Sequence, residues 1–193
     1  MEGEAARGDG DRSGGRRPIK APSSITVRPG VANDAAALAE LAAATFRDAF
    51  GADNDPADLA LHLARSYGVA QQTAELAHPA ITTLVASVDA ELTGYAQLRL
   101  GQPPACVTAA RPLELWRFYV ARPWHGRGVA QELMAAAIAA ARGRGAASLW
   151  LGVWARNPRA QAFYKKSGFV DVGSQTFFVG TDPQTDRVME LIL

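Results

Sequence analysis

The apolar residues of this chain recur with two periods. After a short alternating strand, Ile25-Thr26-Val27-Arg28, the residues Leu38, Leu41, Ala42 and Phe46 fall three or four apart. That spacing predicts a helix with one buried stripe, capped by Asn33 or Asp34 and running to about Phe50. Asn54-Asp55-Pro56 restarts a helix, with proline in its first turn, through Leu59, Leu61 and Leu63 toward Tyr67-Gly68. A further helical piece covers Ala70 to Leu76. Two apolar strands follow, Ile81 to Val88 and Leu92 to Leu100, joined as a hairpin by Asp89-Ala90-Glu91. A polar, proline-bearing loop leads from Gly101 to about Pro112 into a fourth strand, Leu113 to Val120. A helix from about Gly128 to Arg142 is closed by Gly143 and Gly145. Then come a fifth strand, Ser148 to Trp154, and a helix from Pro158 to Ser167. The end is β-rich, Phe169 to Val179 and Arg187 to Leu193. The order β-α-α-β-β-β-α-β-α-β-β predicts an α/β fold, a mixed sheet with helices on its faces.

Composition narrows this picture. Residues 1–22 hold Gly, Arg, Asp and Glu and almost no large apolar side chain. They bury too little to offset ordering entropy, so a disordered tail is expected before a single domain over residues 23–193. A chain of 193 residues buries about 70% of its unfolded surface and needs no disulfide or metal to fold. Cys106 is the only cysteine, which excludes an internal disulfide and suits a reducing, cytoplasmic setting. A net charge of +1 makes no case for a nucleic-acid or membrane partner. No apolar run approaches the ~18–20 residues of a membrane span. His62, His78 and His125 show no metal-ligand spacing, so no metal is expected.

Two segments carry candidate chemistry. In Phe118-Tyr119-Val120-Ala121-Arg122-Pro123-Trp124-His125-Gly126-Arg127-Gly128-Val129-Ala130 an apolar strand enters a glycine-bearing turn that opens into a long helix. Free backbone N–H groups and the positive end of a helix dipole meet there, the arrangement that holds a phosphate or pyrophosphate. Gly126 and Gly128 let a ligand approach the backbone, and Arg127 can add charge-assisted hydrogen bonds. The alternative is a tight turn without a ligand. The second segment, Asn157 to Phe169, starts a helix at Asn157-Pro158, and Tyr164 lies two turns on, on the face of Asn157 and Ala160. Here too a purely structural reading stands beside the functional one: Asn157 as a cap and Tyr164 as an anchor.

Together these segments resemble the acetyl-CoA site of the GNAT family of N-acetyltransferases. The family pattern Q/R-x-x-G-x-G/A is met at Gly128 and Ala130, with His125 in place of Gln or Arg. The pattern N-x-x-A-x-x-x-Y-x-x-x-G-F is met in full from Asn157 through Ala160 and Tyr164 to Phe169. The resemblance implies a GNAT fold: a mostly antiparallel sheet with helices on both faces and a splayed cleft between the fourth and fifth strands. It implies acetyl-CoA lying along Phe118, Tyr119 and Val120, its pyrophosphate on His125, Gly126, Arg127, Gly128, Val129 and Ala130. Asn157 would help hold the pantetheine arm, Ala160 would also contact the cofactor, and Tyr164 would protonate the departing thiolate. A bulge in the fourth strand would free an N–H near Val120 for the thioester carbonyl. Homodimers are common in the family.

Strict alternation in the fourth strand puts Glu114, Trp116, Phe118 and Val120 on one face and Leu115, Arg117 and Tyr119 on the other. Glu114 is the expected general base, because an alkylamine with a pKa of ~10 must lose a proton before it attacks. An ordinary solvated glutamate at a strand start is the alternative. Trp150-Leu151-Gly152-Val153-Trp154, Gln184-Thr185-Asp186 with Met189, and Thr45-Phe46 to Phe50 with Asn54 resemble the branch of bacterial spermidine/spermine N-acetyltransferases. This branch usually carries an acid where Ala155 stands. Polyamines are the leading acceptor, with Asp48, Asp58, Glu114 and Asp186 as partners for a cation. A protein amine or an amine antibiotic is the runner-up. A CoA-binding regulatory module without turnover is the reading from another class.

Overall fold

The computed structural model describes residues 24–51, 55–179 and 182–193. The expected tail, residues 1–22, lies outside them, as does Asn54. Seven strands form one sheet in the order β1-β2-β3-β4-β5-β7-β6. They are β1 (Ile25–Pro29), β2 (Ile81–Val88), β3 (Glu91–Arg99), β4 (Pro112–Val120), β5 (Ser148–Trp154), β6 (Val170–Val179) and β7 (Asp182–Ile192). Every pairing is antiparallel except β4 with β5. The helices are α1 (Ala35–Phe50), α2 (Pro56–Ser66), α3 (Val69–Ala77), α4 (Val129–Gly143) and α5 (Pro158–Lys166). The strand order and the helices after β4 are as predicted, but three helices and not two lie between β1 and β2, the helical piece expected over Ala70 to Leu76 being a full element, α3. The last strand begins at Asp182, five residues before the expected Arg187, because the β6–β7 hairpin stays paired from Asp182↔Val179 inward.

Two apolar layers sandwich the sheet. On one face α4 buries Val129, Leu133, Met134, Ala137 and Ala141 against Ala96, Leu98, Leu115 and Leu149, and Tyr164 of α5 joins the same cluster. On the other, α1 buries Leu38, Ala42 and Phe46 beside Leu59, Tyr67, Val85 and Tyr95. Local chemistry sets the helix starts. The Asp55 carboxylate accepts from the N–H groups of Ala57 and Asp58 ahead of Pro56. Asp34 receives both Nη atoms of Arg28 at 2.7 Å and the Val31 N–H at 2.8 Å, which ties β1 to the entrance of α1.

The parallel ladder between β4 and β5 is short. It links Pro112 to Ser148, Leu113 to Leu149 and Glu114 to Trp150, and then stops. Beyond that vertex β5 continues beside β7 and β4 beside β3. The sheet therefore opens into a V between residues 115–120 and 151–154, the splayed cleft that the sequence resemblance implies.

Strand β4 also carries a register shift. Leu115 pairs with Leu98 and Arg117 with Gln97, leaving Trp116 as an extra residue. A bulge of this kind flips the alternation beyond it. The strict alternation expected from the sequence is thereby corrected. Leu113, Leu115, Phe118 and Val120 face the α4 layer, while Glu114, Trp116, Arg117 and Tyr119 line the opposite side. The bulge lies at Trp116 and not near Val120, which stays paired with Gly94.

Candidate active site

One mouth of the V is the turn between β4 and α4. Gly126 and Gly128 both have positive φ, +75° and +89°. Side-chain-bearing residues are strained there, and glycine is not. A Cβ on Gly126 would meet nothing within 4 Å, so the backbone is open to a ligand, whereas one on Gly128 would touch Ile25 at 3.4 Å. Gly128 is the N-terminal flanking residue of α4. The first N–H groups of that helix have no intrahelical acceptor and present partial positive charge. Val129 is fully buried in the core beneath the turn. Arg127 lies 5.5 Å from the Trp124 ring. His125 does something the sequence did not indicate. Its Nε2 lies 2.7 Å from the Val120 carbonyl oxygen. Since a carbonyl only accepts, Nε2 carries the hydrogen, and the ring braces the turn against the end of β4.

Along the V, helix α5 supplies the aromatic wall on the α4 side. Phe118 stacks on Phe163 at 5.6 Å and meets Tyr164 edge-on at 6.2 Å, and Tyr164 in turn meets Phe169 at 5.8 Å. Tyr164 is buried, and burial pushes its phenol far above the ordinary value, so it holds its proton at neutral pH. Asn157 caps α5, its Oδ1 accepting from the Ala160 N–H at 3.0 Å. The capping reading is therefore correct, and the Asn157 amide nitrogen is the part of the side chain that this bond does not use. Gln161 Nε2 donates to the carbonyls of Trp154 and Ala155, which fixes the turn from β5 into α5.

On the opposite side of the sheet lies a cavity of about 640 Å³. Its walls are aromatic: Phe46, Phe50, Tyr67, Trp116, Trp154 and Phe177. Its charged groups come mostly in pairs. Glu114 is buried and takes both Arg99 Nε (2.6 Å) and Arg99 Nη2 (3.3 Å), with the guanidinium 3.8 Å from the Trp116 ring centre. Arg117 donates to Glu75 at 2.5 Å and to Gln97 at 2.8 Å, and Gln97 also donates to Glu75. The Arg117 guanidinium lies over the Trp116 ring at 3.8 Å and the Tyr67 ring at 4.8 Å. His62 stacks on Phe46 at 4.5 Å. Burial, and then the Arg117 charge, lower its pKa below the ordinary value. It is neutral at pH 7.

Asp186 differs from these. It is 8% exposed, and among the described residues none donates a hydrogen bond to its carboxylate. Burial raises its pKa from 3.8 to about 6. Sequence reasoning included Asp186 and Glu114 among partners for a cation, and the structure brings both to this cavity, whereas Asp48 and Asp58 are not among its lining residues. It missed Arg99, Arg117, Glu75 and His62, because ion pairs 15 and 42 residues apart leave no local signature. Among the described residues no group of three or more His, Cys, Asp or Glu is placed to hold a metal ion, and no helix is long and apolar enough to cross a membrane.

The sheet thus opens into a V with a glycine turn and a helix N-terminus at one mouth and an aromatic cavity holding Glu114 and Asp186 behind it, an arrangement suited to an acyltransferase. Residues 36–169 match the model of the acetyltransferase (GNAT) family, and the chain belongs to that family. It is similar to an uncharacterised N-acetyltransferase of Mycobacterium tuberculosis, with 36% identity over 156 residues, 81% of this chain and 96% of that one. Its fold is similar to PaiA N-acetyltransferase of Thermoplasma acidophilum solved with coenzyme A, at a TM-score of 0.72 and 20% identity over 88% of this chain and 99% of that one. It is also similar to YncA of Salmonella typhimurium solved with its cofactor acetyl-CoA, at a TM-score of 0.63 and 22% identity over 89% and 95% of the two chains.

Proposed function

We propose that this protein is a cytoplasmic N-acetyltransferase that moves an acetyl group from acetyl-CoA to a small cationic primary amine, with polyamines such as spermidine as the leading acceptors. The observation that carries the acceptor class is the charge balance of the cavity. Glu114 is matched by Arg99, Arg117 by Glu75, and His62 is neutral, while the Asp186 carboxylate has no partner among the described residues. Aromatic walls with one uncompensated negative charge favour a cation, through the carboxylate and through ring faces.

The glycine turn and the α4 terminus fit a pyrophosphate. Gly126, Gly128, Val129 and Ala130 would hold it by backbone amides and Arg127 by charge, while the His125 and Arg127 N–H groups are given to the Arg122 and Trp124 carbonyls and shape the turn. Phe118, Tyr119 and Val120 line the opened strand for the pantetheine arm, with Asn157 and Ala160 on its other side. When bound, acetyl-CoA supplies an activated acyl group as a thioester. The chain's own groups do the rest. One of the two cavity carboxylates, Glu114 or Asp186, takes the ammonium proton, and Tyr164 gives a proton to the leaving sulfur. Direct attack requires no covalent enzyme intermediate. The homodimer that the family resemblance implies is checked by light scattering.

The test is thiol release from acetyl-CoA with spermidine, spermine, glutamate, an aminoglycoside and lysine peptides. The cavity predicts that kcat/KM is highest for the cationic small amines. Equal or faster release with glutamate would exclude this acceptor class, and release only with lysine peptides would establish the protein-amine reading in its place.

A further inference from the structure

We propose that Asp186 is the catalytic base that takes the proton from the acceptor ammonium, and that Glu114 is a positioning residue fixed by Arg99. The proposal rests on the reading of a cationic amine acceptor given above.

Position is the first argument. Glu114 sits at the vertex of the V, where β4 and β5 are still paired through Glu114 and Trp150. Asp186 stands opposite Trp154, higher on β5, beside the part of β5 that has parted from β4. An acyl group held in the opened sheet would be flanked by this stretch and not by the vertex. Glycine is the second. A Cβ on Gly152 would come within 2.8 Å of Asp186 Oδ2 and 2.7 Å of Gln175 Nε2. The carboxylate and the amide lean over a residue that has no side chain, in a space that any other side chain would fill. Availability is the third. Both Glu114 oxygens are turned to Arg99, while no described residue donates to Asp186.

Asp186 shares the cavity with Glu114, Arg99, Arg117 and His62. Arg156 lies over the Trp154 ring, Glu190 is on the same strand, and Arg187 points away to Asp171. Burial dominates, and the carboxyl titrates at about 6. It is thus ionised at neutral pH and more basic than an ordinary carboxylate, which narrows the gap to an ammonium with a pKa of ~10.

In the step, Asp186 takes one proton from the R–NH3+ group. The freed lone pair forms the C–N bond as the C–S bond breaks, and the electron pair leaves on sulfur. Tyr164 protonates that sulfur. The surplus proton on nitrogen returns through solvent to Tyr164, and Asp186 releases its proton to water, so one proton is produced per turnover.

The experiment follows kcat/KM against pH by thiol release from acetyl-CoA with spermidine and with trifluoroethylamine, which is already neutral at pH 7. Wild type is expected to lose kcat/KM as pH falls through about 6 with spermidine. Asp186→Asn lowers the spermidine rate about 100- to 10,000-fold, removes that acidic limb, and loses at least tenfold less with trifluoroethylamine. Its acetyl-CoA Kd stays within about twofold, which also shows that it is folded. Glu114→Gln keeps the limb. Gly152→Ala, which pushes the carboxylate aside without removing it, moves the limb. A limb that survives in Asp186→Asn, or disappears in Glu114→Gln, overturns the proposal and leaves the acceptor reading standing. A wild type that turns over neither amine overturns both.

Discussion

Asp186→Asn has a consequence for stability that is independent of catalysis. The native carboxyl holds its proton up to about pH 6, against an ordinary value of 3.8. Between those values the native state binds more protons than the unfolded chain, so stability falls as pH rises through that window. Each tenfold change in acidity is worth about 1.4 kcal/mol, so the ionised Asp186 costs the folded protein at most about 3 kcal/mol above pH 6. Asparagine has nearly the same shape and no charge to desolvate. The variant should therefore gain on wild type with rising pH, by about 1 kcal/mol between pH 5 and pH 8. In a chain of 193 residues that is about 2–4 °C in Tm. The assay is urea or thermal unfolding of both proteins at several pH values between 5 and 8. Comparing the pH dependence of the difference cancels any constant effect of the amide. A difference that is flat with pH, or that shrinks as pH rises, would refute the claim that Asp186 is a desolvated, unpaired carboxylate.

Other outcomes follow from the same geometry. Tyr164→Phe removes only the phenolic hydroxyl from an apolar ring cluster, so kcat should fall about 100- to 10,000-fold while the acetyl-CoA Kd stays within about twofold, measured by thiol release and calorimetry. Gly126→Ala puts a methyl into open space at φ +75°. It should cost about 1–2 kcal/mol in unfolding free energy and weaken acetyl-CoA binding at least tenfold in a direct titration. Leu133→Ala empties a fully buried position of α4 and should destabilise by about 2–5 kcal/mol in denaturant unfolding.

Much of the architecture was legible because it depends on short-range rules. The stripe Leu133, Met134, Ala137 and Ala141 and the glycines on either side of α4 mark that helix without any tertiary information. The turn from Val120 to Gly128 was legible for the same reason, since proline, glycine and a helix start are local. The bulge at Trp116 was not. One extra residue in a strand has no compositional mark here, yet it moves Phe118 and Val120 to the face opposite Glu114. The bond from His125 to Val120 was likewise hidden, because a histidine in a position for glutamine or arginine suggests a ligand contact and not a brace. The cavity charges depend on strand register. Only when β7 lies beside β5 does Asp186 come to stand over Gly152, and only when α3 packs on β2 does Glu75 meet Arg117. The motif resemblance pointed to the family, and the fold formed the cavity proposed here for the acceptor.

The most direct test of the account is the product itself. The protein is incubated with acetyl-CoA and spermidine, and the amine is followed by mass spectrometry alongside free thiol. The account predicts acetylated spermidine in a one-to-one ratio with released CoA, abolished in parallel by Tyr164→Phe. Tight binding of acetyl-CoA with no acetylated product from any amine in the panel would contradict it and leave a CoA-binding module without turnover.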